Sequence, residues 1–460
     1  MAALHEQFTV QRRAGELVRP ASETPQGVLF LSNLDDRTGV RLHASQIQFY
    51  QCNKTRKEDP AKVIKEALGK VLDHFYPLAG RLRPSPRSPS KLLLHCTGEG
   101  VSFVEADADV SLRHFFKDNN MLIPPFHCVE KLFDDTFVST SIIDSPLISI
   151  QVTRLSCGGF AFAMRFNHCV SDGYGMYLFV RALSEMAKGA HVPSIPPVWE
   201  RERLLPRKKP LVQFLEYDYK QDCPGPAMAV IDWDEEDETV RKSIVFSSKE
   251  IALLKREAGL TECSTFDVLS AYLWRVRTRA LNIPDNEVVR LIIPVDFRSR
   301  LQPPLPQGYC GNAIILAYTD TTAADLINNG LSFATKLVHD AKAKVNEEYV
   351  RSVIDLIELR PVPSPPGVKR GIGLLVISNI SRIGYHEIDF GWGKAVYGGD
   401  SMHTLPRTMS PFISVVDRNS GKVEIAAALC LPASAMQVIE AEIVKLKMSS
   451  NTPAVFRSSL

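Results

Sequence analysis

The stretch Phe160-Ala-Phe-Ala-Met-Arg-Phe-Asn-His168-Cys-Val-Ser-Asp172-Gly173 runs an apolar, phenylalanine-containing segment into a turn that carries one histidine and one carboxylate. Cys157-Gly158-Gly159 precedes it, and Leu147 to Leu155 supplies an upstream partner, so the run reads as a strand paired across a Gly-Gly turn. Beyond Asp172 the period changes. Met176, Phe179, Val180, Leu183, Met186 and Ala187 recur at helical spacing, with Gly189 as the cap residue. His168 is therefore expected at the end of a buried strand, and Asp172 just before a helix starting near Gly173.

The bounds around this segment are ordinary. A chain of 460 residues exceeds one single-core domain and predicts two or three. At 45% hydrophobic and 23% charged it is globular, and a net charge of +2 gives no reason to expect nucleic acid. No apolar run is long enough to cross a bilayer. His5, Glu6 and Gln7 interrupt the region where a signal peptide needs its apolar core, so secretion is not expected. Nine cysteines without a Cys-x-x-Cys pair predict free thiols in a reducing compartment. The histidines, among them His74, His95, His127, His339, His386 and His403, form no metal-ligand pattern, and no metal is expected. Cys169, beside His168, reads as a small core residue rather than a nucleophile.

Outward from this segment, helices and strands mix irregularly, as suits a mixed sheet with helices packed on it. Strands are predicted at Val28 to Leu31, Gln46 to Gln51, Leu92 to His95 and Val101 to Glu105. Asp59-Pro60 opens a helix with Val63, Ile64, Ala67, Leu68, Val71 and Leu72 on one face. Residues 1–192 form the first predicted domain. Residues 193–238, broken by seven prolines from Pro193 to Pro226, read as a crossover linker. Arg207-Lys208-Lys209 within it is read as solvated surface, with a phosphate contact as the alternative. Residues 239–460 form the second domain. It has a strand at Lys242 to Phe246, a helix capped by Ser264 with Asp267 three residues on, and a strand at Val288 to Val295. A helical region from Ala323 to Leu359 follows, then a strand at Leu374 to Asn379, a hairpin from Phe412 to Leu431 and a last helix.

A single histidine on an apolar strand is by default a core residue. A serine hydrolase would need a Gly-x-Ser-x-Gly elbow, which is absent. A general base for a hydroxyl acceptor is the third reading, and it calls for a second motif. Asp389-Phe390-Gly391-Trp392-Gly393 supplies one, a tight Gly-x-Gly loop that carries an aromatic and is costly to hold.

His168-x-x-x-Asp172-Gly173 together with Asp389-Phe390-Gly391-Trp392-Gly393 resembles the two signatures of the plant BAHD acyl-CoA-dependent acyltransferases, in that family's order. Tyr76-Pro-Leu-Ala-Gly-Arg81 and the segment from Pro303 to Asn312 resemble the family too. The resemblance implies an α/β (α+β) fold of two similar-sized chloramphenicol-acetyltransferase-like domains. Each is a mixed β-sheet with flanking helices, and the active-site channel lies at their interface. It implies His168 as general base, with direct transfer in a ternary complex. Asp172 points away from the substrates and orients the loop through an arginine. Asp389, with Gly173, Phe390, Gly391 and Gly393, is structural, and Arg298 is the candidate partner of Asp389, with Arg300 the alternative. Trp392 or a backbone amide of the glycine loop is the candidate oxyanion donor. Ser264 and Thr265, at a helix N-terminus, are the candidate CoA contacts, against the bland reading of an ordinary helix cap. No bound cofactor is implied, acyl-CoA being a co-substrate.

Cys96-Thr-Gly-Glu-Gly100 and Gly391 to Gly399 look most like the benzyl alcohol O-benzoyltransferase branch. The resemblance thus implies benzoyl-CoA and benzyl alcohol as substrates. An acetyl- or aliphatic-acyl-CoA alcohol acyltransferase is the alternative within enzymes, and a non-catalytic acyl-CoA or ester-binding paralogue the alternative outside them. A monomer with small-molecule partners is expected, without nucleic acid or membrane. Ser458-Ser459-Leu460 resembles the Ser-Lys-Leu peroxisomal address, so a peroxisomal location through the import receptor is expected, and cytoplasm otherwise.

Overall fold

The computed structural model describes residues 7–117, 121–134, 141–214, 238–359, 371–403 and 405–451. Ile148–Leu155 and Phe160–Asn167 pair antiparallel, with Arg154 opposite Phe160 and Ile148 opposite Phe166. They form the middle of a seven-stranded mixed sheet. Val101–Ala108 runs parallel to Ile148–Leu155, and His43–Tyr50 runs antiparallel to Phe160–Asn167. Val10–Arg12 and Glu16–Val18 close one edge. The other edge is Tyr397–Gly399, a strand contributed by the C-terminal half of the chain.

The alternation Phe-Ala-Phe-Ala-Met explains why the central strand is buried on both faces. Phe160, Phe162, Met164 and Phe166 face the helices Pro60–His74 and Gly173–Ala187, which cover that side with Ile64, Leu68, Phe179 and Leu183. Ala161 and Ala163 point the other way. With Ile47 and Phe49 they meet Ile413, Val415, Ala426 and Ala428, so the small residues let the C-terminal half approach the sheet closely.

In the C-terminal half, Thr239–Phe246, Val423–Pro432 and Phe412–Val416 form one three-stranded sheet. Ile314–Thr322, Val288–Asp296 and Leu374–Val376 form another. Parallel bridges at Val376 with Met409 and Asn379 with Phe412 link the two. The helices Thr265–Ala280, Gly330–Ala343 and Glu347–Leu359 pack with these strands in a separate core. The helical region expected from Ala323 to Leu359 is three helices, broken at Gly330 (φ +77°) and at Lys344 to Asn346. The strand expected to reach Asn379 ends at Val376.

Of the expected crossover, 215–237 lies outside the described residues. Its first part runs along the C-terminal half, with Val198 bridging to Tyr309. Arg207 is not spare for phosphate. Its Nε reaches Asp355 at 2.5 Å and its Nη1 reaches Glu348 at 2.8 Å, so its charge is spent on the helix Glu347–Leu359.

Candidate active site

His168 follows the last strand residue, and the turn is tied on both sides. Its N–H donates to Leu42 O at 2.9 Å, extending the ladder with the neighbouring strand. Asn167 Oδ1 accepts from Cys169 N at 3.0 Å, which reverses the chain away from the sheet. The residue is partly buried, with its ring 5.9 Å from that of Phe166. Burial lowers the imidazole below the ordinary histidine value, and the Asp172 carboxylate opposes this without overcoming it. A neutral imidazole at the end of a buried strand can accept a proton near neutral pH.

Asp172 caps the following helix through Oδ1, which accepts from Gly175 N at 3.0 Å. The same oxygen takes Arg298 Nη2 at 2.9 Å, and Oδ2 takes Ala313 N at 3.0 Å. Burial raises the carboxyl, but Arg298 and the two amides outweigh it and hold it below the usual range. Every acceptor position points into protein, so Asp172 orients the turn and is not a second base. Arg298 also donates to Gly311 O at 3.1 Å and pairs with Asp296 at 3.2 Å.

This corrects the expected partnership, since Arg298 holds Asp172 and not Asp389. Nor is Arg300 the partner of Asp389, as its Nη1 donates to the carbonyls of Lys342 and Val345. Asp389 needs no cation there. Its Oδ1 accepts from Gly391 N at 2.6 Å and Gly393 N at 2.9 Å and so closes the loop on itself. Gly391 and Gly393 adopt φ of +103° and +100°, which explains the Gly-x-Gly spacing. Arg56 is the cation at this loop, a residue the sequence did not point to. It donates to Phe390 O at 2.9 Å and lies 4.0 Å over the Trp392 ring.

Trp392 is likewise corrected. Its ring packs edge-on against Phe160 at 5.5 Å, while Phe390 lies tilted against Phe162 at 5.1 Å. Phe160 begins the strand that His168 follows, so eight residues at about 3.3 Å each separate Trp392 from the base by roughly 25 Å. An oxyanion donor must lie about 3 Å from the developing charge. Trp392 and the glycine loop are structural.

Of the expected CoA contacts, Ser264 is absorbed by its own cap. Its Oγ accepts from Asp267 N at 3.2 Å and donates to Asp267 Oδ2 at 2.8 Å, and Lys342 Nζ meets Asp267 at 2.5 Å. Thr265 instead lines a cleft of about 370 Å³ with Ser248, Lys255 and Glu424. Gly173 begins its helix as expected, and its carbonyl accepts from Tyr385 OH at 2.8 Å. Cys169 is a buried thiol whose pKa burial pushes up to about 12, so it supplies no thiolate.

Sequence reasoning missed a second brace. Asp35 and Arg201 form a buried ion pair at 3.1 Å, and Arg201 Nη2 donates to Val170 O at 2.6 Å. Asn312, quoted in the sequence without a role, donates through Nδ2 to His168 O at 2.9 Å. No local motif marks Asp35 or Arg201, since each lies in a charged run, Asp35-Asp36-Arg37 and Glu200-Arg201-Glu202-Arg203, that reads as solvated surface.

The family model described as "Transferase family" matches residues 8–446. A benzyl alcohol O-benzoyltransferase from Nicotiana tabacum is 42% identical over 98% of this chain and 98% of its own length. An alcohol acyl transferase from Malus domestica is 38% identical over 97% and 95%. Among solved structures, vinorine synthase superposes with a TM-score of 0.70 at 23% identity, over 95% of this chain and 98% of that one.

Proposed function

This chain belongs to the Transferase family, the BAHD acyl-CoA-dependent alcohol acyltransferases, and on that premise we propose that it transfers a benzoyl group from benzoyl-CoA to benzyl alcohol, giving benzyl benzoate and free CoA. The observation that carries the choice of substrates is the 42% identity, over nearly the whole of both chains, to a protein named for that reaction. What supports the chemistry is a turn locked by the Asp172–Arg298 pair, with an imidazole that burial holds below the ordinary histidine value.

In this reading His168 Nε2 takes the proton of the alcohol as its oxygen attacks the thioester carbonyl. The C–S bond then breaks, and the thiolate of CoA, a much weaker base than an alkoxide, leaves and is protonated. A positioned base contributes about 10²- to 10⁴-fold. Holding both substrates against one base removes the need for an acyl-enzyme, and the inert Cys169 offers none. Thr265, Ser248 and Lys255 are the groups we assign to the phosphates of CoA, supported by the cleft that they line. The second reading is an aliphatic acyl donor, since the alcohol acyl transferase of Malus domestica, nearly as similar, is named for no particular acyl group.

The test is thiol release with benzyl alcohol and either benzoyl-CoA or acetyl-CoA, with the ester identified by mass and His168→Ala as control. Faster turnover with benzoyl-CoA that is lost in the variant supports the proposal. Preference for acetyl-CoA moves it to the second reading, and full activity in His168→Ala removes the base. We also propose a peroxisomal location from Ser458-Ser459-Leu460, which lies outside the described residues. A fluorescent fusion with the intact C-terminus that stays cytosolic would count against it.

A further inference from the structure

The strand Tyr397–Gly399, which the C-terminal half lends to the central sheet, keeps its register just past its end. Gly398 stands opposite Gln48 and Gly399 opposite Ile47, and Ser401 Oγ lies 3.3 Å from Ser45 Oγ, so Asp400 comes opposite Gln46. Alternation then puts Asp400, Gln46 and Gln48 on one face of the sheet, with Met164 of the central strand beside Gln46. That is the face of Phe166, whose ring neighbours that of His168. Met164 precedes His168 by four residues, so this polar group begins about 13 Å along the strand from the base. Tyr385 borders the same space, with its carbonyl against Gly398 and its hydroxyl on Gly173 O.

Each of the three side chains keeps a polar atom unused. Gln46 Nε2 donates to Met164 Sδ at 3.9 Å, and Gln48 Oε1 accepts from Tyr50 OH at 3.0 Å. Gln46 Oε1 and Gln48 Nε2 are buried without a partner, on residues 3% and 0% exposed. Asp400 accepts from Met402 N at 2.8 Å, and no cation among the described residues offsets the burial that raises its carboxyl to about 6. The backbone beside it is strained as well, since Met402 is buried at φ +60°, where a side chain is disfavoured. Unmatched buried polar groups and strained backbone gather where a ligand completes them. Two free acceptors and one free donor are the complement of a primary aromatic amine, with its two N–H bonds and one lone pair. A hydroxyl would leave one acceptor empty, an ammonium has no lone pair for Gln48, and an unsubstituted ring satisfies none of the three.

We propose that Asp400, Gln46 and Gln48 form a subsite for an aromatic amino group carried by one of the two substrates. Asp400 and Gln46 Oε1 accept its N–H bonds, and Gln48 Nε2 donates to its nitrogen. The amine belongs to an aminobenzoyl-CoA or to an aminobenzyl alcohol, the recognising chemistry being the same. The inference rests on the acyl transfer proposed above and narrows its substrates.

The experiment measures thiol release by the full chain in two series. One pairs benzyl alcohol with benzoyl-CoA and its amino and hydroxy isomers, and the other pairs benzoyl-CoA with benzyl alcohol and its amino and hydroxy isomers. In one series an amino compound should exceed its unsubstituted parent in kcat/KM by about tenfold or more, the worth of a hydrogen bond to a charged group. The series that shows it identifies the substrate that carries the amine. Asp400→Asn keeps the shape of the side chain and should bring that ratio down by about tenfold, with Gln46→Met as the second variant if the first does not fold. No preference for any amino compound, a larger one for a hydroxy compound, or a ratio unchanged in the variant overturns the proposal. Loss of turnover with every pair would instead refute the acyl transfer. Calorimetric titration of the same amino and unsubstituted compounds, which needs no turnover, then decides the subsite, and equal affinities overturn it.

Discussion

Replacing Asp172 by asparagine keeps the volume of the side chain and removes its charge. The carboxylate accepts three hydrogen bonds, from Gly175 N, Ala313 N and Arg298 Nη2. Whichever way the new amide turns, its NH2 group faces at least one of these donors. Arg298 is then left with Asp296, whose side chain is 47% exposed, and with the carbonyls of Tyr309 and Gly311. Removing one partner of a buried ion pair costs about 3–5 kcal/mol, and those residual contacts place this case near 3 kcal/mol. Domains hold about 5–15 kcal/mol in all, so thermal unfolding should begin at clearly lower temperature. The charge matters separately at His168. Burial lowers the imidazole and the Asp172 carboxylate is the leading group that raises it. Without that carboxylate the imidazolium loses support, and the base stays neutral to still lower pH. In the wild type the acid limb of kcat/KM should fall below the ordinary histidine value of about 6.5. In Asp172→Asn it should move further toward acid, even as kcat drops because the turn loosens. Thiol-release rates from pH 4.5 to 9, beside thermal unfolding of both proteins, measure the two effects. A limb that moves toward alkali, or an unfolding midpoint left unchanged, would refute the reasoning.

Three further outcomes are expected. Trp392→Phe should keep kcat within about twofold and cost about 1 kcal/mol in stability through the weakened stacking under Arg56; a 100-fold loss of kcat would restore it as an oxyanion donor. Gly391→Ala should be destabilised by about 1–3 kcal/mol, because φ of +103° disfavours a side chain and the added Cβ would meet Arg56 Nη1; an unchanged thermal midpoint would show that the loop relaxes freely. Asp400, raised to about 6 by burial, binds its proton more tightly folded than unfolded. Its contribution is therefore fully present below about pH 3.8 and lost as pH rises through about 6. Asp400→Asn should accordingly be more stable than wild type at pH 8 by up to about 3 kcal/mol, the gap closing toward pH 4; a gap that does not depend on pH would show that the carboxyl is not the cause.

Much of the site was legible because its signals are local. The strand that ends at His168 announces itself by apolar density, and the helix after Asp172 by the change of period. Asp389 and its glycines are also local, since the carboxylate bonds amides two and four residues away and the backbone must take positive φ. What misled was distance. Trp392 belongs to the same signature as the structural loop, yet sheet pairing of Tyr397–Gly399 with Phe49 to Ile47 carries that loop to the far end of the central strand.

The sequence by itself determined the family, the mixed sheet with its helices, His168 as the candidate base and Asp172 as its bracing carboxylate, since all of these follow from neighbours along the chain. Only the tertiary structure decided which arginine meets which aspartate, that Arg56 serves the glycine loop, and that Asp35, Arg201 and Asn312 converge on the His168 turn. Buried charges take whichever partner the packing brings within about 3 Å. That choice depends on how strands more than a hundred residues apart are ordered in the sheet, and nothing in the local pattern of a chain encodes it.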